Sequence, residues 1–201
     1  IQAQRKLFII TLNTIMYMTA KFNRGFLNIL KEADLILPDG FGLIWASHFL
    51  GNPLKERVTG IDLINGLFEE GHKRELKVAF IGGKPGISEI ARQRILDKYP
   101  GLRIVKCFHG YNLRAHRDLI IKELLIANPD IILVGMGSPR QERWIVENIR
   151  KFKSGIFIGV GGSLDILAGR LKRAPVFFQK FGLEWLYRLI KEPYRWKRIL
   201  I

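Results

Sequence analysis

The sequence predicts an α/β fold in which helices flank a mostly parallel β-sheet. Short apolar segments alternate with amphipathic segments along most of the 201 residues, which is the pattern of repeated strand–helix units. Several of the apolar segments, including 130–134 and 155–160, lack polar alternation. Such segments are typical of strands buried on both faces of a parallel sheet. Together these observations predict a Rossmann-like layered architecture.

The predicted elements follow one another in a regular order. They are strand 7–12, helix 15–30, strand 34–38, helices 41–50 and 61–71, strand 77–81, helix 87–98, strand 103–108, helix 114–127, strand 130–134, helix 139–151 and strand 155–160. Apolar residues recur at helical spacing in the helices, and β-branched or aromatic residues dominate the strands. Pro38 and the Asp39-Gly40 turn end the second strand, which we expect to be buried, and Pro100 follows the helix 87–98.

The last segment of the chain differs from the rest because it has no strand signal. It mixes aromatic with basic residues in short predicted helices that break at Gly182 and Pro193. These helices cover 176–181, 183–190 and 194–201. We therefore predict an α/β domain over 1–172 and a helical appendage over 173–201, suited either to a lipid headgroup interface or to packing on the sheet domain. The abrupt start at Ile1 leads us to expect further residues before it.

The charge of the chain points to an anionic partner. Lys and Arg number 33 and Asp and Glu 18, a formal net charge of +15, and residues 170–201 contain nine basic residues against two acids. Such an excess attracts nucleic acid, an anionic membrane surface or a phosphorylated substrate. The alternative is a solvated basic surface that only keeps the protein soluble.

Several function classes are disfavoured by what the sequence lacks. The single cysteine, Cys107, precludes an intramolecular disulfide framework, and no apolar segment reaches the roughly 18 residues that span a bilayer. The four histidines have no metal-ligand spacing and the sequence has no Asp-x-Asp for a divalent metal, so we expect no metal. The loop 159–162 is not a full dinucleotide fingerprint, and Ser163 lacks the nucleophile elbow of a hydrolase.

Glycines and polar residues are concentrated directly after the predicted strands. In an open α/β sheet, ligands bind at that edge, outside the carboxyl ends of the strands. Because glycine lets backbone amides approach a ligand and a helix N-terminus favours anions, we predict phosphate binding there. The candidate contacts are Gly82, Gly83, Lys84, Gly86, Gly135, Gly137, Arg140, Gly161 and Gly162. The alternative is that these glycines only form strand-to-helix turns.

Three further residues near this edge are candidates for chemistry. Asp39 has the position of a general base, although an Asp-Gly pair is also common in turns and caps. Arg57 suits bidentate phosphate binding, with a plain surface charge as the alternative. Gln141 opens a predicted helix and either faces a ligand or belongs to an ordinary helix start.

Read together, nine short strings resemble the WecG/TagA/CpsF family of bacterial glycosyltransferases. They are TLN (11–13), ADLILPDGFG (33–42), ERVTGID (56–62), IGGKPG (81–86), VGMGSPRQE (134–142), GVGGSLD (159–165), AG (168–169), RAP (173–175) and GLEWLYR (182–188). The strings occur in order across nearly the whole chain, which makes a chance agreement very improbable. The resemblance therefore covers both the α/β domain and the appendage.

The resemblance implies an inverting, metal-independent glycosyltransferase that uses no cofactor. Family members transfer a sugar from a UDP-sugar donor to an undecaprenyl-pyrophosphate-linked acceptor, as peripheral proteins at the cytoplasmic face of the bacterial membrane. TagA-type members transfer N-acetylmannosamine to lipid-linked N-acetylglucosamine, which starts the teichoic acid linkage unit. This is the activity that we predict, with N-acetylmannosaminuronic acid or another UDP-sugar as alternative donors. We also expect a homo-oligomer from the family.

The resemblance also implies roles for individual residues. Asp39 corresponds to the family's candidate base and Arg57 to its functionally important arginine. Further site residues are Thr11, Asn13 and Gln141. The glycine-loop residues given above become candidate nucleotide-sugar contacts. In the appendage, the candidate contacts to pyrophosphate or lipid are Arg188, Arg195 and Arg198.

Two other functions are kept as alternatives. A UDP-sugar enzyme of another type, such as an epimerase, would act without a lipid acceptor. A nucleic-acid-binding module would account for the +15 charge, but the sequence contains no recognised nucleic-acid motif and its basic residues are concentrated among aromatics. We therefore expect no nucleic acid partner.

Overall fold

A six-stranded parallel sheet with helices on both faces forms the protein, which confirms the predicted fold class. The computed structural model describes residues 5–111, 113, 115–191, 193 and 196. The strands are β1 (Lys6–Leu12), β2 (Leu35–Pro38), β3 (Lys77–Gly82), β4 (Arg103–Phe108), β5 (Ile131–Gly135) and β6 (Gly155–Gly159). The helices are α1 (Thr14–Phe22), α2 (Arg24–Lys31), α3 (Phe41–Phe49), α4 (Gly60–Lys73), α5 (Ile87–Lys98), α6 (Arg117–Ala127), α7 (Arg140–Asn148), α8 (Ser163–Leu167), α9 (Val176–Lys180) and α10 (Glu184–Lys191).

The strand order is β2-β1-β6-β5-β3-β4, and every neighbouring pair is parallel. All carboxyl ends of the strands therefore meet at one edge of the sheet, which we call the carboxyl edge. The neighbours β3 and β5 continue in opposite directions, β3 toward β4 and β5 toward β6. Such a reversal opens a crevice at the carboxyl edge of doubly wound sheets.

The core lies in two layers, one on each face of the sheet. Phe8 and Ile10 of β1 face the layer formed with α1, α2, α6 and α7, whereas Ile9 faces the layer formed with α4, α5 and α8. This alternation follows from the two-residue period of a strand. Burial on both faces explains why β3, β5 and β6 are almost wholly apolar.

Helix boundaries differ from the predicted ones where a polar residue caps a new helix. The predicted helix 15–30 is two helices, because Asn23 has extended backbone and its Oδ1 accepts a hydrogen bond from the Phe26 amide at 3.0 Å. An Asn in this position ends one helix and begins the next. The short helix α8 was not predicted, since five residues carry too little periodicity to show in the sequence.

The expected burial of the second strand is wrong. Leu35 and Ile36 of β2 are 46 % and 44 % exposed, because β2 lies at the outer end of the sheet. The following helix α3 is apolar, yet none of its residues is buried. In the part of the chain that the structure describes, β2 and α3 thus leave apolar side chains partly exposed at one end of the sheet.

No helix among the described residues has both the length and the apolar character needed to cross a bilayer.

Candidate active site

Asp39 lies at the carboxyl edge of the sheet, directly after β2. Its backbone N–H donates to the Leu12 carbonyl at the end of β1 at 2.8 Å, so the chain stays attached to the sheet there. Gly40 then forms the N-cap of α3, and a Cβ at this residue would lie 3.2 Å from Thr14 Oγ1. The Asp39 side chain is 28 % exposed, which leaves it accessible to a substrate.

Arg57 holds the backbone of Asp39 from the loop that precedes α4. Its Nε donates to the Asp39 carbonyl oxygen at 2.6 Å, and a terminal nitrogen lies 3.8 Å from Asp39 Oδ1. The guanidinium carbon is 4.8 Å from the centre of the Phe41 ring, a cation–π arrangement. Only 16 % of the Arg57 side chain is exposed, so this arginine is a largely buried cation beside Asp39.

The appendage supplies the remaining partners of Arg57. Glu184 at the start of α10 accepts a hydrogen bond from an Arg57 terminal nitrogen, and the Gln179 carbonyl lies 3.5 Å from the other. Gly182 packs on Phe41 so closely that a Cβ there would lie 2.5 Å from the ring. Glu184 lies in the family string GLEWLYR, but no role was predicted for it from the sequence. A further signal was that it is one of only two acids in a strongly basic segment.

A second ion pair joins the appendage to the start of α4. Arg173 donates to both carboxylate oxygens of Asp62, at 2.5 and 2.7 Å, and Thr59 donates to Asp62 at 2.6 Å while capping the helix. The hydrogen bond from Arg173 lowers the pKa of Asp62, and the same contact raises the pKa of Arg173. This pair was not predicted from the sequence, because its members are 111 residues apart.

We use the name charged corner for Asp39, Arg57, Asp62, Arg173 and Glu184. These five ionisable residues come from the turn after β2, the loop before α4, α4 itself and the appendage. They form a connected set, since the Arg173 Nε lies 3.7 Å from Glu184 Oε1 and Glu184 also binds Arg57. The charged corner therefore places a partly exposed carboxylate beside a guanidinium at the edge where ligands bind.

Thr11 and Asn13 lie at the end of β1, next to this corner. Thr11 is 8 % exposed, and its hydroxyl faces Gly60, where a Cβ would lie 3.1 Å away. The Oδ1 of Asn13 accepts from the Met16 amide at 3.0 Å and caps α1. Both residues thus make a structural contact at the position where the resemblance implies a role in the site.

The glycine loops, which we define as residues 82–86, 135–141 and 159–162, form the other half of the carboxyl edge. Gly82 has φ +126°, and a Cβ there would lie 2.2 Å from the Gly135 carbonyl oxygen. The Gly83 amide donates to that same oxygen at 3.0 Å. Glycine is required here because two backbone segments touch, and a side chain would separate them.

Gln141 ties two of the glycine loops together. Its Oε1 accepts from the Gly137 amide at 3.2 Å and from the Gly161 amide at 2.9 Å. Its Nε2 donates to the buried Glu142 carboxyl at 2.7 Å. Gln141 is 4 % exposed. The amides of Gly83, Gly137 and Gly161, candidates for phosphate binding, therefore already donate to protein acceptors.

Burial raises the pKa of the Glu142 carboxyl, although hydrogen bonds from Gln141, its own backbone and Ser138 oppose the shift. Glu142 is 1 % exposed. Glu142 lies in the family string VGMGSPRQE, but no role was predicted for it from the sequence. Its position behind Gln141 makes it part of the support for the loops rather than of their surface.

The remaining predicted phosphate contacts lie around these loops. Lys84 and Arg140 are exposed, so their charges are available at the edge of the sheet. Gly86 and Gly162 precede α5 and α8, respectively. In the appendage, Arg188 lies on α10, and its side chain is not among those described; Arg195 and Arg198 lie outside the described residues.

Cys107 is a half-buried free thiol in β4. Desolvation raises its pKa to about 11, so the thiol is protonated at neutral pH and a poor nucleophile. Within the part of the chain that the structure describes, no three His, Cys, Asp or Glu residues are grouped so as to hold a metal ion.

Comparison with known proteins gives a consistent result. The chain is 36 % identical over 198 residues to N-acetylglucosaminyldiphosphoundecaprenol N-acetyl-beta-D-mannosaminyltransferase of Staphylococcus aureus strain MW2, which covers 98 % of this chain and 76 % of that protein. The proteins of the same name from strains MRSA252 and N315 match with the same identity and coverage. The model of the glycosyl transferase WecG/TagA/CpsF family matches residues 1–201. The chain thus belongs to the WecG/TagA/CpsF family of glycosyltransferases.

Proposed function

We propose that this glycosyltransferase transfers N-acetylmannosamine from UDP-N-acetylmannosamine to N-acetylglucosamine linked to undecaprenyl diphosphate. The names of the staphylococcal relatives support the acceptor and the transferred sugar. The single observation of the structure that carries the proposal is the partly exposed Asp39 carboxylate beside Arg57 at the carboxyl edge. A base and a fixed cation at a ligand-binding edge are what a sugar transfer requires of the protein.

In the proposed reaction, Asp39 acts as the general base. Its carboxylate takes the proton from the acceptor hydroxyl while the hydroxyl oxygen attacks the anomeric carbon of the donor sugar. The bond from that carbon to the diphosphate oxygen breaks on the opposite side, so the configuration inverts and UDP leaves. Arg57 orients the base, because its Nε holds the Asp39 carbonyl at 2.6 Å.

The negative charge that develops on UDP needs partners of its own. Several loop amides already donate to Gly135 and Gln141, so we assign this task mainly to the exposed Lys84 and Arg140 and to the arginines of the appendage. A cation placed at a developing negative charge stabilises the transition state. The reaction is proposed to need no metal and no cofactor.

We also propose that the protein works at the cytoplasmic face of the bacterial membrane, with its appendage against anionic lipid. The aromatic residues Phe41, Trp45 and Phe49 follow one another at four-residue spacing on α3 and thus share a face. Trp45 and Phe49 are 59 % and 92 % exposed, and Phe41 touches Gly182 of the appendage. The appendage adds the exposed Trp185 in a segment rich in basic residues, and such a combination of aromatic and basic residues suits a headgroup interface.

The division into a catalytic domain over 1–172 and an appendage over 173–201 is part of the proposal. The contacts of Arg173, Gln179 and Glu184 with the domain support a functional role for the appendage. A homo-oligomer is also proposed, as in the family; the exposed Leu35 and Ile36 of β2 give it a candidate surface apart from the aromatic face of α3.

The proposed function is tested by UDP release. Purified protein is given UDP-N-acetylmannosamine with and without lipid-linked N-acetylglucosamine, in the presence of EDTA. We expect release that depends on the acceptor and persists in EDTA. Release only with UDP-N-acetylmannosaminuronic acid or another UDP-sugar would change the donor but keep the mechanism. Conversion of the donor without a lipid acceptor would instead identify an enzyme such as an epimerase and contradict the transferase.

Membrane association is tested separately with vesicles. We expect co-sedimentation with vesicles that contain phosphatidylglycerol and less with neutral vesicles, because the appendage is basic. Phe49→Ser should weaken this binding. Leu119→Ser, at an exposed residue of α6, is the control and should leave the binding unchanged. Equal binding to duplex DNA at the same ionic strength would contradict a preference for membranes.

A further inference from the structure

Glu184 is the residue through which the appendage reaches the candidate active site. It is 7 % exposed, and its carboxylate lies between two guanidinium groups, bonded to Arg57 through Oε2 and 3.7 Å from Arg173 through Oε1. Ionised acids are rarely buried unless they are paired. The buried charge of Glu184 is therefore balanced by both arginines, and Glu184 in turn holds the Arg57 guanidinium through a direct hydrogen bond.

The Arg57 guanidinium lies between the domain and the appendage, and its contact with Glu184 fixes its orientation. On the side of the domain, the guanidinium meets the Asp39 carbonyl and the Phe41 ring. On the side of the appendage, it meets Glu184 and the Gln179 carbonyl. The Asp39 carboxylate is 3.8 Å away, beyond hydrogen-bond distance. Without Glu184, the Asp39 carboxylate would be the nearest anion to a largely buried cation, and the guanidinium would turn toward it.

A second contact anchors the appendage independently of Glu184. Arg173 binds both oxygens of Asp62 and lies 3.4 Å from Thr59 Oγ1. A bidentate arginine–carboxylate pair is a strong and geometrically specific contact. Loss of the Glu184 charge should therefore leave the appendage docked through Arg173, which separates docking from the placement of Arg57.

We propose that Glu184 is a positioning residue for the transfer reaction. It keeps the Arg57 guanidinium hydrogen-bonded to the Asp39 carbonyl and 3.8 Å from the Asp39 carboxylate. The base therefore has its working geometry only when the appendage is docked. The inference rests on the proposed function, in which Asp39 is the base. Glu184 itself touches no reacting atom in this scheme, because its carboxylate is occupied by the arginines.

A double-mutant cycle tests the proposal. Glu184→Gln keeps the shape of the side chain and removes its charge, and we expect kcat to fall about 10²-fold with little change in the donor KM, as for a misplaced catalytic group. In an Arg57→Lys background the same change should cost no more than about twofold, because the residue on which Glu184 acts is already altered. Glu147→Gln, at an exposed acid paired with Arg117, is the control and should retain full activity.

Docking of the appendage is measured on the same variants by trypsin cleavage within residues 172–191. We expect Glu184→Gln to be cleaved at the wild-type rate and Asp62→Asn faster, because Asp62 anchors Arg173. Additive losses in the cycle, or rapid cleavage of Glu184→Gln, would assign Glu184 a merely structural role and overturn the inference. An active wild type with an equally active Glu184→Gln variant overturns this inference alone. An inactive wild type with every donor overturns the proposed function and the inference with it.

Discussion

The carboxyl edge of the sheet has two halves that are built on different principles. In the glycine loops, backbone segments touch one another directly, as where Gly82 and Gly83 meet the Gly135 carbonyl. In the charged corner, ionisable side chains from distant parts of the chain meet in a set that includes Asp39 and Arg57. The loops hold a backbone shape and the corner holds charges, so the corner is where we place the proposed proton transfer.

The difference shows why glycine-rich loops are an ambiguous sign of phosphate binding. The amides of Gly137 and Gly161 point to one acceptor, but that acceptor is the side chain of Gln141. An amide that already donates to the protein gains little from a ligand. The loops therefore shape the crevice between β3 and β5, and exposed cations around it remain the better candidates for charge stabilisation.

The largest effect is expected from Asp39→Asn in the charged corner. The amide cannot accept the proton of the acceptor hydroxyl, so kcat should fall about 10³-fold, within the range of lost general base catalysis. UDP release with the lipid acceptor measures the rate. Asp118→Asn, at an exposed acid that opens α6, is the control. A folded Asp39→Asn protein with near-normal turnover would show that Asp39 is not the base. It would also contradict the assignment of proton transfer to the charged corner.

Arg57→Lys should have the next largest effect. Lysine keeps the charge but cannot hold the Asp39 carbonyl, Gln179 and Glu184 together, since it lacks the planar fork of arginine. We expect turnover to fall about 10²-fold, as for a displaced catalytic group. Arg170→Lys, at an exposed position, should be silent. Full activity of Arg57→Lys would mean that a positive charge at this position is sufficient and that the hydrogen bonds of the guanidinium are not required.

In the glycine loops, substitutions should affect stability before activity. Gly82→Ala places a Cβ 2.2 Å from the Gly135 oxygen and should lower the free energy of unfolding by about 3 kcal/mol or more. Gly86→Ala, where no atom lies within 4 Å of the added Cβ, should cost only about 1 kcal/mol for its positive φ. Urea unfolding of the two variants measures the difference. Equal stability of the two variants would show that the close contact between Gly82 and Gly135 does not contribute to the free energy of unfolding.

The smallest effect is a pH dependence from Glu142 beneath the loops. Its pKa is raised in the folded protein. At a pH below the pKa of Glu142 in the unfolded chain, the carboxyl is protonated in both states and does not lower the free energy of unfolding. As the pH rises through the window between the unfolded and folded pKa values, the unfolded chain releases its proton first and stability falls, by about 1.4 kcal/mol for each unit of separation. Glu142→Gln should remove this fall. Thermal unfolding between pH 4 and 8 tests it, and identical profiles for the two proteins would contradict the assignment.

Most of the fold could be predicted from the sequence, because its signals are local. Strands such as β3 and β5 are nearly continuous apolar segments, and their glycines follow at once. The same holds for Asp39, which a proline and a glycine mark as the end of a strand. The exposure of Leu35 and Ile36 could not be predicted, since it depends on which strand lies at the end of the sheet.

The α/β class, the positions of most elements and the strings that mark the family follow from the sequence alone, because these depend on neighbouring residues. Which charges lie together depends instead on the folded chain. Glu184 and Arg57 are 127 residues apart, and Arg173 and Asp62 are 111 apart, so no spacing in the sequence relates them. The reason is physical: a buried charge needs a partner in space, and the order of strands and the path of the appendage determine where that partner lies.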